Sequence, residues 1–322
     1  MTSTSTAPTR APAKQTSAAA SRSRRRPLRR WVRSGGITTI VFLLPLLLVF
    51  GVFSWYPIVR SVVMSFQTTN LVSAPVFVGW HNFAAVFNDP LLGVAVRNTL
   101  WFAVLALIFG YPVPLVVAVL MSEVRRAKGL FSVLAYLPVV VPPVVAVLLW
   151  QFFYSGDATG VFNTILGWVG IPPQPWIESA TTAMPSLVLQ ATWSAAGGTI
   201  IIYLAALTAV PAELYDAAEV DGAGIWRKIW HITVPSLRAL LFVTFILQII
   251  GTAQVFLQPY LFTDGGPDNS TLTILLLIYN YAFGNSVGGN YGEATALSIM
   301  LAAALAILSF IYFRATNRWS SS

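Results

Sequence analysis

Residues Pro211 to Pro235 read PAELYDAAEVDGAGIWRKIWHITVP. Glu213, Asp216, Glu219 and Asp221 come first, Arg227, Lys228 and His231 follow, and long apolar runs flank the segment on both sides. Charges between two lipid-grade runs belong outside the bilayer core, so the segment is a loop between spans, yet its composition is that of a helix. Pro211 suits the first helical position, Glu213 and Asp216 lie where the helix dipole favours anions, and Gly222 suits the position just past the end. Leu214, Ala217, Ala218 and Val220 leave an apolar or small face, free either to lie at the membrane surface or to dock into a partner.

The surrounding chain is lipid-compatible. Its 322 residues are 56% hydrophobic and 9% charged, with a mean hydropathy of +0.72, outside the range of ordinary soluble domains. An all-α polytopic membrane protein is expected. Cys is absent, which excludes a disulfide framework and a thiolate site, and His81 and His231 are too few and too separated for a metal centre. No G-x-x-x-x-G-K-[ST] loop, G-x-S-x-G, H-E-x-x-H or paired intramembrane carboxylate occurs. No cofactor and no catalytic residue is therefore assigned, and any ATP-driven step must come from another chain.

A span needs about 20 apolar residues, which places six near 37–58, 97–121, 131–153, 185–209, 237–258 and 292–313, with a charged loop at 210–236. The apolar stretch Thr271–Phe283 rises only about 20 Å as a helix and is read as a short interfacial helix; as a seventh span it would move the carboxyl terminus across the membrane. Residues 1–36, rich in Ser, Thr, Ala, Pro and Arg, bury almost nothing and are expected to be disordered. With six spans, every one of the 19 Lys and Arg except Arg60 and Arg97 falls on one side, together with both termini, the Pro211–Pro235 loop and the tail 315–322. The positive-inside rule makes that side cytoplasmic. Beside a span, the arginine run from Arg22 to Arg33 reads as a topology signal or a patch for anionic lipid, and no nucleic-acid partner is expected.

Inside the spans, Pro138, Pro142 and Pro143 must interrupt the third helix, as a packing kink or as an opening beside a polar pathway. Gln190, Thr192, Ser194 and Thr199 lie in the fourth, where Gly197 and Gly198 permit close helix approach. Gln248, Thr252 and Gln254 lie in the fifth, Gln248 and Thr252 sharing one face. Such amides and hydroxyls either join helices or line a polar route. No acidic or basic residue lies deep in a span, which leaves a proton relay little to work with. A neutral, hydroxyl-rich solute suits such a wall, with Trp193, Tyr203, Phe256 or Tyr260 available to stack on sugar faces.

The pattern Asp216-Ala217-Ala218, Gly222, Ile232 and Pro235 resembles the EAA loop of permease subunits of binding-protein-dependent ABC importers, with Asp216 in place of Glu and Val234 in place of Leu. Gly79-Trp80-His81-Asn82-Phe83, Asn98-Thr99, Trp150, Gly160-Val161-Phe162-Asn163, Pro175-Trp176 and Thr263-Asp264-Gly265-Gly266-Pro267 follow the same family in order from about residue 40 to 313, in its carbohydrate branch of the maltose and glycerol-phosphate uptake type. The resemblance implies a six-span permease in the plasma (inner) membrane whose coupling helix sits in an ATPase cleft. Glu213, Asp216, Ala217, Ala218, Asp221, Gly222, Ala223 and Pro235 would be the coupling residues. It also implies a second permease subunit in a heterodimer, ABC ATPase subunits, an extracytoplasmic solute-binding protein and a carbohydrate substrate moved by alternating access. Gln190, Trp193, Ser194, Gly198, Gln248, Thr252 and Gln254 are the candidate pathway residues. The competing expectation is a self-sufficient channel or secondary carrier for a neutral polar solute.

Overall fold

The computed structural model describes residues 36–123, 128–284 and 289–320. The expected disordered tail falls, apart from Gly36, outside them. The chain divides into two units, Met1–Val59 and Arg60–Ser322. In the first, α1 (Gly36–Phe50) runs through a π turn at Gly51–Trp55 into the start of α2 (Tyr56–Met64).

In the second unit a two-residue ribbon, β1 (Gln67–Thr68) with β2 (Val76–Phe77), precedes α3 (His81–Asn88) and α4 (Pro90–Leu105). A π turn at Ala106–Gly110 leads into α5 (Pro112–Glu123), and then come α6 (Lys128–Val140), α7 (Pro143–Phe153), α8 (Val161–Gly167) and α9 (Ala183–Leu207). The charged segment forms α10 (Ala212–Val220), α11 (Ile225–Lys228) and a π turn at Ile229–Thr233, followed by α12 (Val234–Ala253). A last π turn at Pro259–Thr263, α13 (Ile274–Phe283) and α14 (Tyr291–Ser320) complete the chain.

Three of these π turns share one cause. Those ending at Trp55, Gly110 and Thr233 each stop two residues before a proline: Pro57, Pro112 and Pro235. A proline ring inside an α-helix collides with the carbonyl four residues back, and one wider turn moves that carbonyl away without ending the helix. The Tyr111 N–H then donates to the Ala106 carbonyl five residues earlier, at 2.8 Å.

Among the described residues, five helices are long and apolar enough to cross a membrane: Thr38–Met64, Pro90–Glu123, Ala183–Leu207, Ile225–Ala253 and Tyr291–Thr316. The pair Gly129–Val140 and Pro143–Phe153, bent by 99°, makes a sixth if counted as one span. The bend falls at the expected prolines. Two helices begin earlier than apolarity alone suggests, at Pro90 rather than near 97 and at Ile225 rather than near 237. Asp89 caps the former by accepting from the Leu91 N–H at 2.8 Å, and the latter carries its cationic turn as helix rather than loop. At ten residues, α13 rises about 15 Å, half the hydrocarbon thickness.

Buried asparagines tie the irregular segments to this frame. Asn82 donates to the Ser65 and Gln67 carbonyls, both at 2.9 Å, and Asn98 to those of Asn269 (2.6 Å) and Leu272 (3.0 Å). Asn163 Nδ2 donates to four carbonyls, of Ser155, Gly156, Asp157 and Gln174, while its Oδ1 accepts from the Gln174 N–H and Trp176 Nε1, both at 2.9 Å. These residues belong to the short motifs that carry the family resemblance, and here they hold structure. Tyr281 donates to Asp89, and burial together with this bond raises the phenol above its ordinary pKa, so that it remains a donor.

Candidate functional site

Two places gather the sequence-derived candidates: a surface helix and an internal cavity. The helix is α10, with Pro211 at its N-cap, one position earlier than expected, and Glu213 in its first turn. At its end Gly222 adopts φ +72°. The Ala223 N–H donates to the Ala218 carbonyl (2.8 Å) and the Gly222 N–H to that of Glu219 (3.0 Å), which is the Schellman arrangement. Two clamps fold α10 back onto the chain that follows: Tyr215 hydroxyl to Thr233 hydroxyl, 3.0 Å, and Glu219 to Lys228, 3.2 Å. Glu213, Asp216, Ala217, Asp221 and Gly222 remain exposed, Ala218 and Ala223 are partly covered, and Pro235 lies exposed just beyond the π turn. Leu214 and Val220 are also exposed, at 48% and 88%. The helix is thus held from behind and presents acidic, small and apolar groups outward.

The cavity, of about 480 Å3, lies between α4–α5, α9 and α12 with the segment after it. Gln248, Thr252 and Gln254 line it as a group, joined by Thr244 and Gln258, while Thr192 and Thr199 face them from α9. None of the residues that line it is charged. Positions 244, 248 and 252 are spaced four apart, so one face of α12 supplies a polar stripe. The π turn at Ala106–Gly110 contributes Ala106 and Gly110 to the opposite wall. A Cβ at Gly110 would sit 2.8 Å from Thr192 Oγ1, so glycine there lets α9 come close.

At one end of the wall a cluster of hydroxyls joins three helices. Tyr111 donates to the Leu241 carbonyl at 2.7 Å, and Tyr203, fully buried, pairs with Thr244 at 2.7 Å. Tyr111 and Gln258 were not among the sequence candidates. Tyr111 sits in the turn that Pro112 distorts, and Gln258 repeats Gln254 at helical spacing, so both carried a usable signal.

The remaining pathway candidates lie elsewhere. Gln190, 1% exposed, donates to Ser194 at 2.7 Å, and its Oε1 has no hydrogen-bond partner among the described residues. Trp193 packs against Trp150 with ring centroids 5.4 Å apart and planes tilted by 53°, beside the aromatic core of Tyr154, Phe162 and Trp176. Neither Gln190, Trp193, Ser194 nor Gly198 lines the cavity. Of the two adjacent glycines, Gly197 makes the close approach: a Cβ there would meet the Ala135 carbonyl at 2.3 Å, whereas one at Gly198 would meet nothing within 4 Å.

Comparison with known proteins follows the same lines. Residues 110–319 match the family described as binding-protein-dependent transport system inner membrane component. The lactose transport system permease protein LacF of Rhizobium radiobacter is 34% identical over 282 residues, covering 86% of this chain and 93% of LacF. The arabinooligosaccharides transport system permease protein AraP of Halalkalibacterium halodurans is 33% identical over 267 residues, 82% of this chain and 84% of AraP. Among solved structures, a chain of a bacterial ABC transporter involved in the import of the acidic polysaccharide alginate superposes with a TM-score of 0.77 at 25% identity, covering 90% of this chain and 98% of that one.

Proposed function

Since this chain belongs to the family of binding-protein-dependent transport system inner membrane components and is a transmembrane permease subunit of an ABC importer, we propose that its substrate is a neutral sugar or polyol taken up by alternating access. The observation that carries the substrate class is the uncharged polar wall of Gln248, Thr252, Gln254 and Gln258, faced by threonines, in a cavity of about 480 Å3. Amides and hydroxyls match a solute rich in hydroxyls, and the volume falls in the range of small-molecule sites. The names of LacF and AraP, a lactose and an arabinooligosaccharide permease protein, point to the same class.

In this reading α10 docks into a separate ATPase subunit through Glu213, Asp216, Ala217, Ala218, Asp221, Gly222 and Ala223. Closure of two such ATPases displaces α10. The Tyr215–Thr233 and Glu219–Lys228 clamps pass the movement to α11 and, through the π turn ahead of Pro235, into α12, whose polar stripe lines the cavity. A second permease subunit supplies the rest of the path, and an extracytoplasmic binding protein delivers the solute. A binding-protein complex has been solved for the alginate importer, whose permease chain superposes on this one. The bent α6–α7 pair counts as one of six spans, with both termini and α10 cytoplasmic. A self-sufficient channel or carrier finds no support in these relatives.

Affinity purification through a carboxyl-terminal tag tests this reading. The expected result is stoichiometric recovery of a second permease chain and an ATPase, with ATP-dependent uptake of a neutral sugar in proteoliposomes. A chain that purifies alone and transports without ATP would overturn the assembly; an intact complex that carries only charged solutes would overturn the substrate class alone.

A further inference from the structure

A second hollow, of about 580 Å3, lies away from the cavity, where the second half of α4 and the start of α9 meet the turn ahead of α13. Arg97, Asp268 and Ser270 line it together with Leu100, Trp101 and Val104. Arg97, Trp101 and Val104 are spaced four and three residues apart, so a cation is followed along one face of α4 by apolar side chains. Leu100 and Trp101 are exposed, at 61% and 50%.

The two charged groups line the same hollow, and their sequence neighbours are bonded to one another. Asn98 donates to the Asn269 and Leu272 carbonyls at 2.6 and 3.0 Å, and the Ile274 N–H donates to Thr99 Oγ1 at 3.0 Å. Asp268 therefore borders a segment stapled to α4 next to Arg97. Among the described residues neither Arg97 nor Asp268 takes part in a salt bridge, and Ser270 Oγ is buried without a hydrogen-bond partner. The depth also fits a membrane surface. From Arg97 to Glu123 the helical path is about 39 Å, close to the ~40–45 Å that separates the two headgroup layers.

We propose that this groove binds one phospholipid whose headgroup carries both a phosphate and a primary amine, as phosphatidylethanolamine does. Arg97 takes the phosphate through its guanidinium fork. Asp268 accepts N–H donors from the ammonium, and Ser270 Oγ completes the polar end. An acyl chain follows Leu100, Trp101 and Val104 into the bilayer, with the indole at the interface that Trp favours. A purely anionic headgroup would meet the Asp268 carboxylate, and a quaternary amine has no N–H to offer it. The charge pair thus selects a headgroup rather than only attracting anions.

Native mass spectrometry on the purified importer complex, offered equal amounts of phosphatidylethanolamine, phosphatidylcholine and phosphatidylglycerol, tests the assignment. The wild type is expected to retain phosphatidylethanolamine about tenfold over phosphatidylcholine. Asp268→Asn should bring that ratio near one while phosphate lipids still bind. Arg97→Gln should lower retention of all three about tenfold, with partial recovery in Arg97→Lys. Both side chains are exposed, so folding is not at stake, and a thermal melt verifies this. Equal retention of the two zwitterionic lipids, or a preference that survives both substitutions, would overturn the proposal. Preference for phosphatidylglycerol would reveal a plain cationic patch and overturn it as well. Lipid bound by the free chain but not by the complex would mean that the second permease chain covers the groove, with the same consequence.

Discussion

Replacing Gly222 with valine probes α10, the proposed coupling helix, at its most constrained point. Gly222 sits at φ +72°, and an added Cβ would meet nothing within 4 Å. Conformation, rather than space, is therefore what excludes other residues. An L-residue held in this left-handed region costs about 1–2 kcal/mol, and a β-branched one more. The two hydrogen bonds that this turn preserves, Ala223 to Ala218 and Gly222 to Glu219, contribute about 0.5–1.5 kcal/mol each. A nine-residue helix has little reserve of its own. The penalty thus rivals what the cap provides, and the end of α10 should open about ten- to thirtyfold more often. In proteoliposomes holding the whole complex, Gly222→Val should lower uptake and solute-stimulated ATP hydrolysis together by about tenfold while basal hydrolysis persists. Gly222→Asn should lose much less, because asparagine tolerates this conformation. Wild-type uptake and stimulation in Gly222→Val would refute the reasoning. Equal losses in the two variants would show that a partner surface excludes any side chain, and that the backbone angle is not the cause.

Asn163→Ala leaves the Gln174 N–H and Trp176 Nε1 without their acceptor in a site 2% exposed, so thermal unfolding should show a loss of at least about 3 kcal/mol. Gly197→Leu places side-chain atoms against the Ala135 carbonyl and should forfeit about 1–3 kcal/mol or block assembly, while Gly198→Ala, facing open space, should melt like the wild type; the reverse order would displace the α6–α9 contact from Gly197. Gln248→Leu and Gln254→Leu remove amides from the cavity wall and should raise the KM for uptake about tenfold without changing basal ATP hydrolysis; unchanged KM in both would remove these residues from the path. Tyr215→Phe breaks the clamp to Thr233 and should weaken solute stimulation of the ATPase severalfold, whereas an unchanged response would assign that bond to folding alone.

How much of this was legible in the sequence depended on whether a residue's role was local. Pro142 and Pro143 announced the 99° bend, and Gly222 announced the end of α10, because each acts through its own backbone. Three of the four π turns among the described residues were equally local, since Pro57, Pro112 and Pro235 mark them, yet a reading that treats intrahelical proline only as a break passes over them. The polar residues of the fourth and fifth spans were harder. Gln248 and Thr252 share a face with Thr244, and that spacing was visible. On α9, buried residues occur on several sides, among them Met184, Leu187, Val188, Gln190 and Ile200, so no apolar stripe says which side faces the cavity. Thr192 faces it while Gln190, two residues earlier, turns to Ser194, a distinction that only packing makes. The motif asparagines were legible as marks of kinship but not of purpose, because Asn98 meets partners more than 170 residues away.

The uncharged wall of the cavity has an electrical consequence. Moving one elementary charge across 100 mV involves about 2.3 kcal/mol, so a gate or binding site built on charged side chains would feel every change in the energised state of the cell. The glutamines and threonines of this wall carry no such charge. With a neutral solute on board, the transmembrane voltage has nothing in this wall to pull on, and in the proposed assembly the direction of movement is left to the partner ATPases' nucleotide cycle. Uptake through this subunit should therefore proceed at the same rate in polarised and depolarised vesicles supplied with equal ATP.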